Sequence, residues 1–143
     1  MLVRLVYASR STQPITPELL GDILTKSRKN NAESGITGVL CVCHGDVYLQ
    51  ALEGGREQVN TLYTKLLADS RHTDVVLLDY AEIRQRRFAS WRMGQANLDK
   101  LNPAVALKYS ETAVVDPYSI PGSVALELLE ELMSTAAIVG GSQ

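Results

Sequence analysis

Neutral side-chain amides, more than acids, thiols or imidazoles, are the groups whose placement in this chain could do chemistry. The apolar stripe Leu20, Ile23, Leu24 and Ser27, continued by four residues, reaches Asn31, with Asn30 beside it. Gln50 stands in a strand-like run with Val47, Leu49 and Leu52 as apolar neighbours. A buried amide left without a partner costs about 1–3 kcal/mol, so each of these needs one. A carboxamide both donates and accepts, so three of them around a cavity can hold a planar heterocycle with alternating N–H and C=O groups. On composition alone the plainer reading is favoured: Asn30 and Asn31 close a fraying helix and Gln50 lies on the surface of an edge strand.

The usual catalytic sets are thin. The two histidines, His44 and His72, fall in a hairpin loop and just past a helix end, and no Ser or Cys motif pairs with either. Gly-x-Gly-x-x-Gly and Gly-x-x-x-x-Gly-Lys-Ser/Thr are both absent, which removes the common backbone cradles for nucleotide phosphates. Glu53, Asp69 and Asp79 are scattered acids without metal-ligand spacing. Cys41 and Cys43, at i,i+2 in one strand, are too close for a comfortable disulfide and form no zinc set, so they are expected to pack. No metal is expected.

The 143 residues predict one domain, and 45% hydrophobic with 21% charged residues is enough apolar material for a core. Fourteen Lys+Arg against sixteen Asp+Glu give a net charge of -2, so no global positive field exists to draw in nucleic acid or anionic lipid. The first residues are a strand in character rather than a secretory signal, and no apolar run approaches the roughly 20 residues of a membrane span. The expectation is a reduced, cytoplasmic protein that binds neither nucleic acid nor membrane.

The elements that must position the amides follow from periodicity. Residues 2–8 alternate as a buried first strand; Thr16, Pro17 and Glu18 start a helix that Gly35 ends. Two strands, 36–43 and 47–53, flank His44-Gly45-Asp46 as a hairpin, and Val59, Leu62, Tyr63 and Leu66 mark a second helix over 56–70. A fourth strand runs over 75–83, and the stretch around Trp91-Arg92-Met93-Gly94 reads as a short fifth. The order βαββαβ predicts an α+β, ferredoxin-like fold with its first and third strands adjacent at the centre, which makes Tyr7 and Gln50 neighbours. Prolines 103, 117 and 121 then punctuate a less regular stretch before a helix striped by Val124, Ala125, Leu128, Leu129 and Met133 opposite Glu127, Glu130 and Glu131. We therefore expect a domain at 1–97 and an appended helical extension or cap at 98–143.

Five segments in order resemble one family. They are Leu5-Val6-Tyr7-Ala8-Ser9; Ser27-Arg28-Lys29-Asn30-Asn31 leading to Gly35-Ile36-Thr37-Gly38; Leu49-Gln50-Ala51-Leu52-Glu53-Gly54; Asp69-Ser70-Arg71-His72; and Arg87-Phe88-Ala89-Ser90-Trp91-Arg92-Met93-Gly94. Together, over about residues 1–97, they resemble the BLUF domain, a blue-light sensor that uses flavin. The resemblance implies non-covalent FAD, with FMN possible, between the two helices. It implies Asn31 at the O4/N3 edge of the ring, Asn30 nearer the C2 carbonyl, Tyr7 as photochemical electron donor and Gln50 between that tyrosine and the flavin. Ser27, Lys65, Asp69, Arg71 and His72 match pocket or rim positions. Trp91 and Met93 match the pair that exchanges inward and outward places near the glutamine, although their i,i+2 spacing on one strand face would also suit plain packing. Lys65 and Asp69, at i,i+4, could equally pair on the helix surface.

The resemblance implies a photoreceptor and no enzyme. Its output would pass from the fifth strand to the helix at 124–133, and from there to a second copy of the chain or an unidentified downstream protein. A homo-oligomer is expected because that helix needs an apolar partner surface. The competing classes are a small acyl phosphatase on the same fold, for which no phosphate loop or nucleophile is visible, and a ferredoxin-like ligand-binding, RNA-binding or protein-interaction module without photochemistry. In the last, Tyr48 is the one stacking aromatic of the third strand.

Overall fold

A hydroxyl, a proline and a glycine set the limits of the first helix. Thr16, extended at φ -85°, accepts from the Leu19 amide, Pro17 occupies the first turn, and Gly35 closes the helix in the left-handed region at φ 74°. The result is α1 (Pro17–Ser34), one element of a computed structural model that describes residues 1–135. Around it, in chain order, lie β1 (Leu2–Ser11), β2 (Thr37–Cys43), β3 (Val47–Gly55), α2 (Arg56–Leu67), β4 (His72–Ile83) and β5 (Gly94–Asn97). A single 3-10 turn (Leu98–Lys100), α3 (Pro103–Tyr109) and α4 (Gly122–Thr135) complete the described residues. The part of the expected extension beyond residue 135 lies outside them.

The sheet order is β4-β1-β3-β2-β5, antiparallel except where β5 joins β2 in parallel. This is the α+β arrangement the element order predicts, with β1 and β3 at the centre and Tyr7 directly opposite Gln50. Because strand side chains alternate, each central strand feeds two cores. Val3, Leu5, Tyr7, Leu40, Tyr48 and Leu52 face α1 and α2. Val6, Val39, Cys41, Cys43, Leu49 and Ala51 face the other way, against Ala125, Leu128, Leu129 and Met133 of α4. Cys41 and Cys43 are free thiols in this second core, as packing residues should be.

Three expectations need correction. The residues from Trp91 to Met93 precede the fifth strand and do not form it; β5 begins at Gly94. Their carbonyls are taken one by one by different partners, Trp91 by the Gly38 amide, Arg92 by the Asn31 side chain and Met93 by Arg28 Nε, so no strand ladder can run through them. Without a strand, i,i+2 spacing no longer means a shared face: Met93 is fully buried in the helix-side core, while Trp91 packs on the α4 side. The second helix stops at Leu67, three residues before its expected end, and β4 starts three residues early at His72. Finally, Leu128 and Leu129 are fully buried against the sheet of their own chain, so the apolar stripe of α4 supplies no reason for self-association.

Candidate functional site

Tyr7 and Gln50 meet at the floor of a cavity because β1 and β3 are hydrogen-bonded neighbours in register. The Tyr7 hydroxyl donates to Gln50 Oε1 in a short bond, and Gln50 Nε2 donates to Met93 Sδ at 3.3 Å. Burial pushes the Tyr7 phenol well above its ordinary range, and the nearby Tyr48 and Tyr63 add to the shift. The phenol is therefore neutral and holds its proton firmly toward the carboxamide. Tyr63 of α2 packs on Tyr7 with ring centroids 5.8 Å apart, closing its far side.

The cavity measures about 360 Å³ and runs between α1 and α2 above this floor. From α1 it is lined by Ser27, Asn30 and Asn31; from the inner end by Tyr7, Gln50 and Met93. Lys65, Asp69, Arg71 and His72 stand along the α2 side and the turn that follows it. Leu19, Ile23, Leu40, Leu62 and Leu66 supply apolar walls between these polar groups. The structure thus brings together every residue singled out from the sequence except Trp91, which lies on the opposite side near Met133. A Cβ at Gly94 would fall 2.7 Å from Met133 Cε and 3.0 Å from Trp91 Cε3, so these two side chains converge on the glycine and a larger residue would have to displace the end of Met133.

The polar groups at the rim are held in place by their neighbours. Asp69 accepts from Arg71 Nε at 3.0 Å and Nη2 at 2.7 Å, and those bonds draw its carboxyl down to about 2. Ser9 Oγ and His72 Nδ1 are 3.1 Å apart, and burial lowers the His72 imidazole, with Arg71 adding to the shift against the pull of Asp69. Lys65 is exposed and Asn30 largely so, while Asn31 and Gln50 are buried.

Sequence reasoning missed Asp22, Lys26 and Tyr48 as lining residues. Each carried a signal: Asp22 and Lys26 precede Asn30 at intervals of four on one helix face, and Tyr48 shares a strand face with Gln50 by the period of two.

A family model for sensors of blue-light using FAD matches residues 2–94. The chain belongs to the BLUF family. Among curated relatives it is 36% identical over 101 residues to the photoactivated adenylate cyclase subunit beta of Euglena longa, a match covering 70% of this chain and 12% of that protein. It is 32% identical over 103 residues to the blue light- and temperature-regulated antirepressor BluF of Escherichia coli (strain K12), covering 69% of this chain and 23% of that one. The chain therefore spans only a small part of these curated relatives. Two solved structures match along nearly their whole length. The photo-activated state of BlsA has a TM-score of 0.79 at 31% identity, covering 93% of this chain and 95% of that one. The dark state of BlrB, a BLUF protein, has a TM-score of 0.76 at 27% identity, covering 94% and 96%.

BLUF domains are flavin-binding sensors, and the cavity here fits the group. Its volume falls within the roughly 300–1,000 Å³ usual for organic ligands. Its inner end offers buried carboxamides and a phenol, which suit an uncharged heterocycle, while cationic Lys26, Lys65 and Arg71 toward the mouth suit an anionic tail. No described helix is long and apolar enough to cross a membrane.

Proposed function

We propose that this BLUF chain senses blue light by moving one proton between Tyr7 and Gln50. The observation that carries the reading is the hydrogen-bonded series Tyr7 Oη, Gln50 and Met93 Sδ at the floor of the cavity. Bound flavin supplies the absorption of blue light and, once excited, a strong electron acceptor. Asn31 and Asn30 hold its polar edge, Ser27 lines its α1 side, and Lys65, Asp69, Arg71 and His72 hold the remainder toward the mouth.

The Tyr7 phenol gives up an electron and, becoming acidic on oxidation, its proton. The electron would go to the excited flavin, and the Gln50 carboxamide, whose Oε1 accepts from the phenol, would relay the proton the same way by taking it at Oε1 while Nε2 gives one up. When electron and proton return to Tyr7, Gln50 is left rotated or tautomerised. Rotation carries Oε1 to the place from which Nε2 now donates to Met93 Sδ, so two acceptors face each other and the hold on Met93 is lost. Met93 adjoins Gly94, against which Trp91 and Met133 converge, so its release reaches β5 and α4. These helices at 98–135 act as the output cap on the sensor at 1–97. From there the signal passes to a second copy of the chain or to another protein. The free thiols Cys41 and Cys43 suit work in the reducing cytoplasm.

The test is an absorption spectrum of the flavin-loaded protein before and after blue light. The wild type should show a small reversible red shift, and Tyr7→Phe should lose it while still binding flavin. An undiminished shift in Tyr7→Phe removes Tyr7 from the role.

A further inference from the structure

On the sheet face away from the cavity, the fold assembles a ligand set that sequence spacing does not reveal. Cys43 ends β2, His44 opens the hairpin turn, and Asp99 comes from the 3-10 turn after β5; one ligand atom from each lies within 4.8 Å of the others. We propose that Cys43, His44 and Asp99 form a binding site for a divalent cation of the zinc class.

The hydrogen bonds at His44 argue for a cation there. His44 Nε2 lies 3.1 Å from the Val115 carbonyl, which can only accept, so Nε2 is the ring nitrogen that donates there. That leaves Nδ1 turned toward Asp99 Oδ1, 3.5 Å away. A ring nitrogen and a carboxylate oxygen facing each other at this distance can share one positive charge, a proton or a metal cation. The carboxylate is not free to turn away, because both its oxygens accept from the His44 amide at 2.9 and 3.0 Å. A second ring nitrogen bonded to a backbone carbonyl is also how metal-bound histidines are oriented.

Cys43 completes the set with the soft ligand that selects zinc over magnesium or calcium. Its thiol is now 3.7 Å from the Val115 carbonyl as a weak donor. Burial, with the negative field of Asp99, Asp116 and Asp46 behind it, raises it to about 12. That same field attracts a cation, and binding would exchange the thiol proton for a metal–sulfur bond, releasing one proton to solvent. Zinc bonds of about 2.0–2.3 Å place tetrahedral ligands closer than the widest separation here, so the set must draw in by on the order of an ångström. His44 and Asp99 are each about two-fifths exposed and sit on turns, which provides both that movement and the entry path. His44 holds the left-handed φ of 57° in the hairpin turn, a conformation histidine adopts more readily than most residues. Three protein ligands leave a fourth position for water.

The experiment is a titration of the full chain with Zn²⁺ against a chromophoric chelator, with proton release followed in weak buffer. Wild type should bind one equivalent and release one proton. Cys43→Ser, His44→Asn and Asp99→Asn should each weaken binding by more than the roughly tenfold that loss of an outer-shell partner produces; Asn keeps the left-handed turn at position 44. Co²⁺ should give ligand-field bands to the red of flavin absorption, with a sulfur charge-transfer band absent in Cys43→Ser. Cys41→Ser, two residues earlier on the same strand, should bind as wild type does. Absence of one-to-one binding, or binding undiminished by His44→Asn, overturns the proposal and leaves a proton as the charge between His44 and Asp99.

Discussion

The Asn31 side-chain amide donates to the Arg92 carbonyl at 2.6 Å, tying α1 to the segment that carries Met93. One turn earlier on the same helix, Arg28 Nε donates to the Met93 carbonyl at 3.1 Å. The amide proposed to hold flavin is therefore also a fastener of the segment proposed to move. Asn31→Ala should cost about 1–3 kcal/mol by leaving a carbonyl unpartnered, and should lower flavin content and protection of the Met93 and Gly94 amides. Asn31→Asp, nearer in shape, should be at least as damaging, since a carboxylate facing a carbonyl cannot donate. Chemical unfolding, hydrogen exchange and the ratio of flavin to protein absorbance check this. Wild-type behaviour of Asn31→Asp would show that the bond fastens nothing.

Glu53 is a second fastener, on the opposite face. It is fully buried, lies 3.5 Å from Arg4 Nε, and accepts from the backbone amides of Arg87 at 3.0 Å and Phe88 at 2.7 Å. Glu53→Ala should cost about 3–5 kcal/mol, because it leaves the Arg4 charge buried and uncompensated as well as two amides without an acceptor. Arg4→Met should cost less, since Glu53 keeps both amide donors. Urea denaturation ranks the two. A costlier Arg4→Met would mean that the ion pair, and not the loop's amides, makes Glu53 matter.

Stability should fall as pH drops below neutrality, and His72 supplies part of the slope. Burial lowers its folded-state value below the unfolded one of about 6.5. The unfolded chain therefore takes up a proton first, and stability is lost as pH falls through that unfolded value toward the folded one. His72→Gln, which cannot be protonated, should flatten the dependence of the urea midpoint between about pH 7 and 5. An unchanged slope would place the linked proton elsewhere. The Asp69 contribution, with a folded value near 2, is lost only below about pH 4 and leaves this window untouched.

Local chemistry made part of this molecule readable in advance. Thr16, Pro17 and Gly35 each act within a turn of their own position, so the limits of α1 follow from them. The pairing of Tyr7 with Gln50 follows once the element order selects a strand order. The fifth strand was hidden because Gly94-Gln95-Ala96-Asn97 has little β character of its own; β2 imposes it by parallel pairing. The alternation Trp91, Met93 imitates a strand, but the partners of its carbonyls, Asn31, Arg28 and Gly38, lie more than fifty residues away. Asp99 comes beside Cys43 and His44 by the same β2–β5 pairing, which no spacing announces.

Leu128 and Leu129 separate stability from signalling. Both are fully buried between α4 and the sheet, so replacing either with Ala should cost about 2–5 kcal/mol. Neither lines the cavity, and the flavin red shift should keep its size. What should change is the rate of dark recovery, because release of Met93 is felt by α4 through Gly94, Trp91 and Met133, and a loosened helix resists that movement less. Recovery followed by absorption after a blue pulse, beside unfolding curves of the same variants, decides the matter. Lost stability with unaltered recovery in both variants would show that α4 covers the sheet without receiving the signal, and the route from Met93 would have to leave along β5 alone.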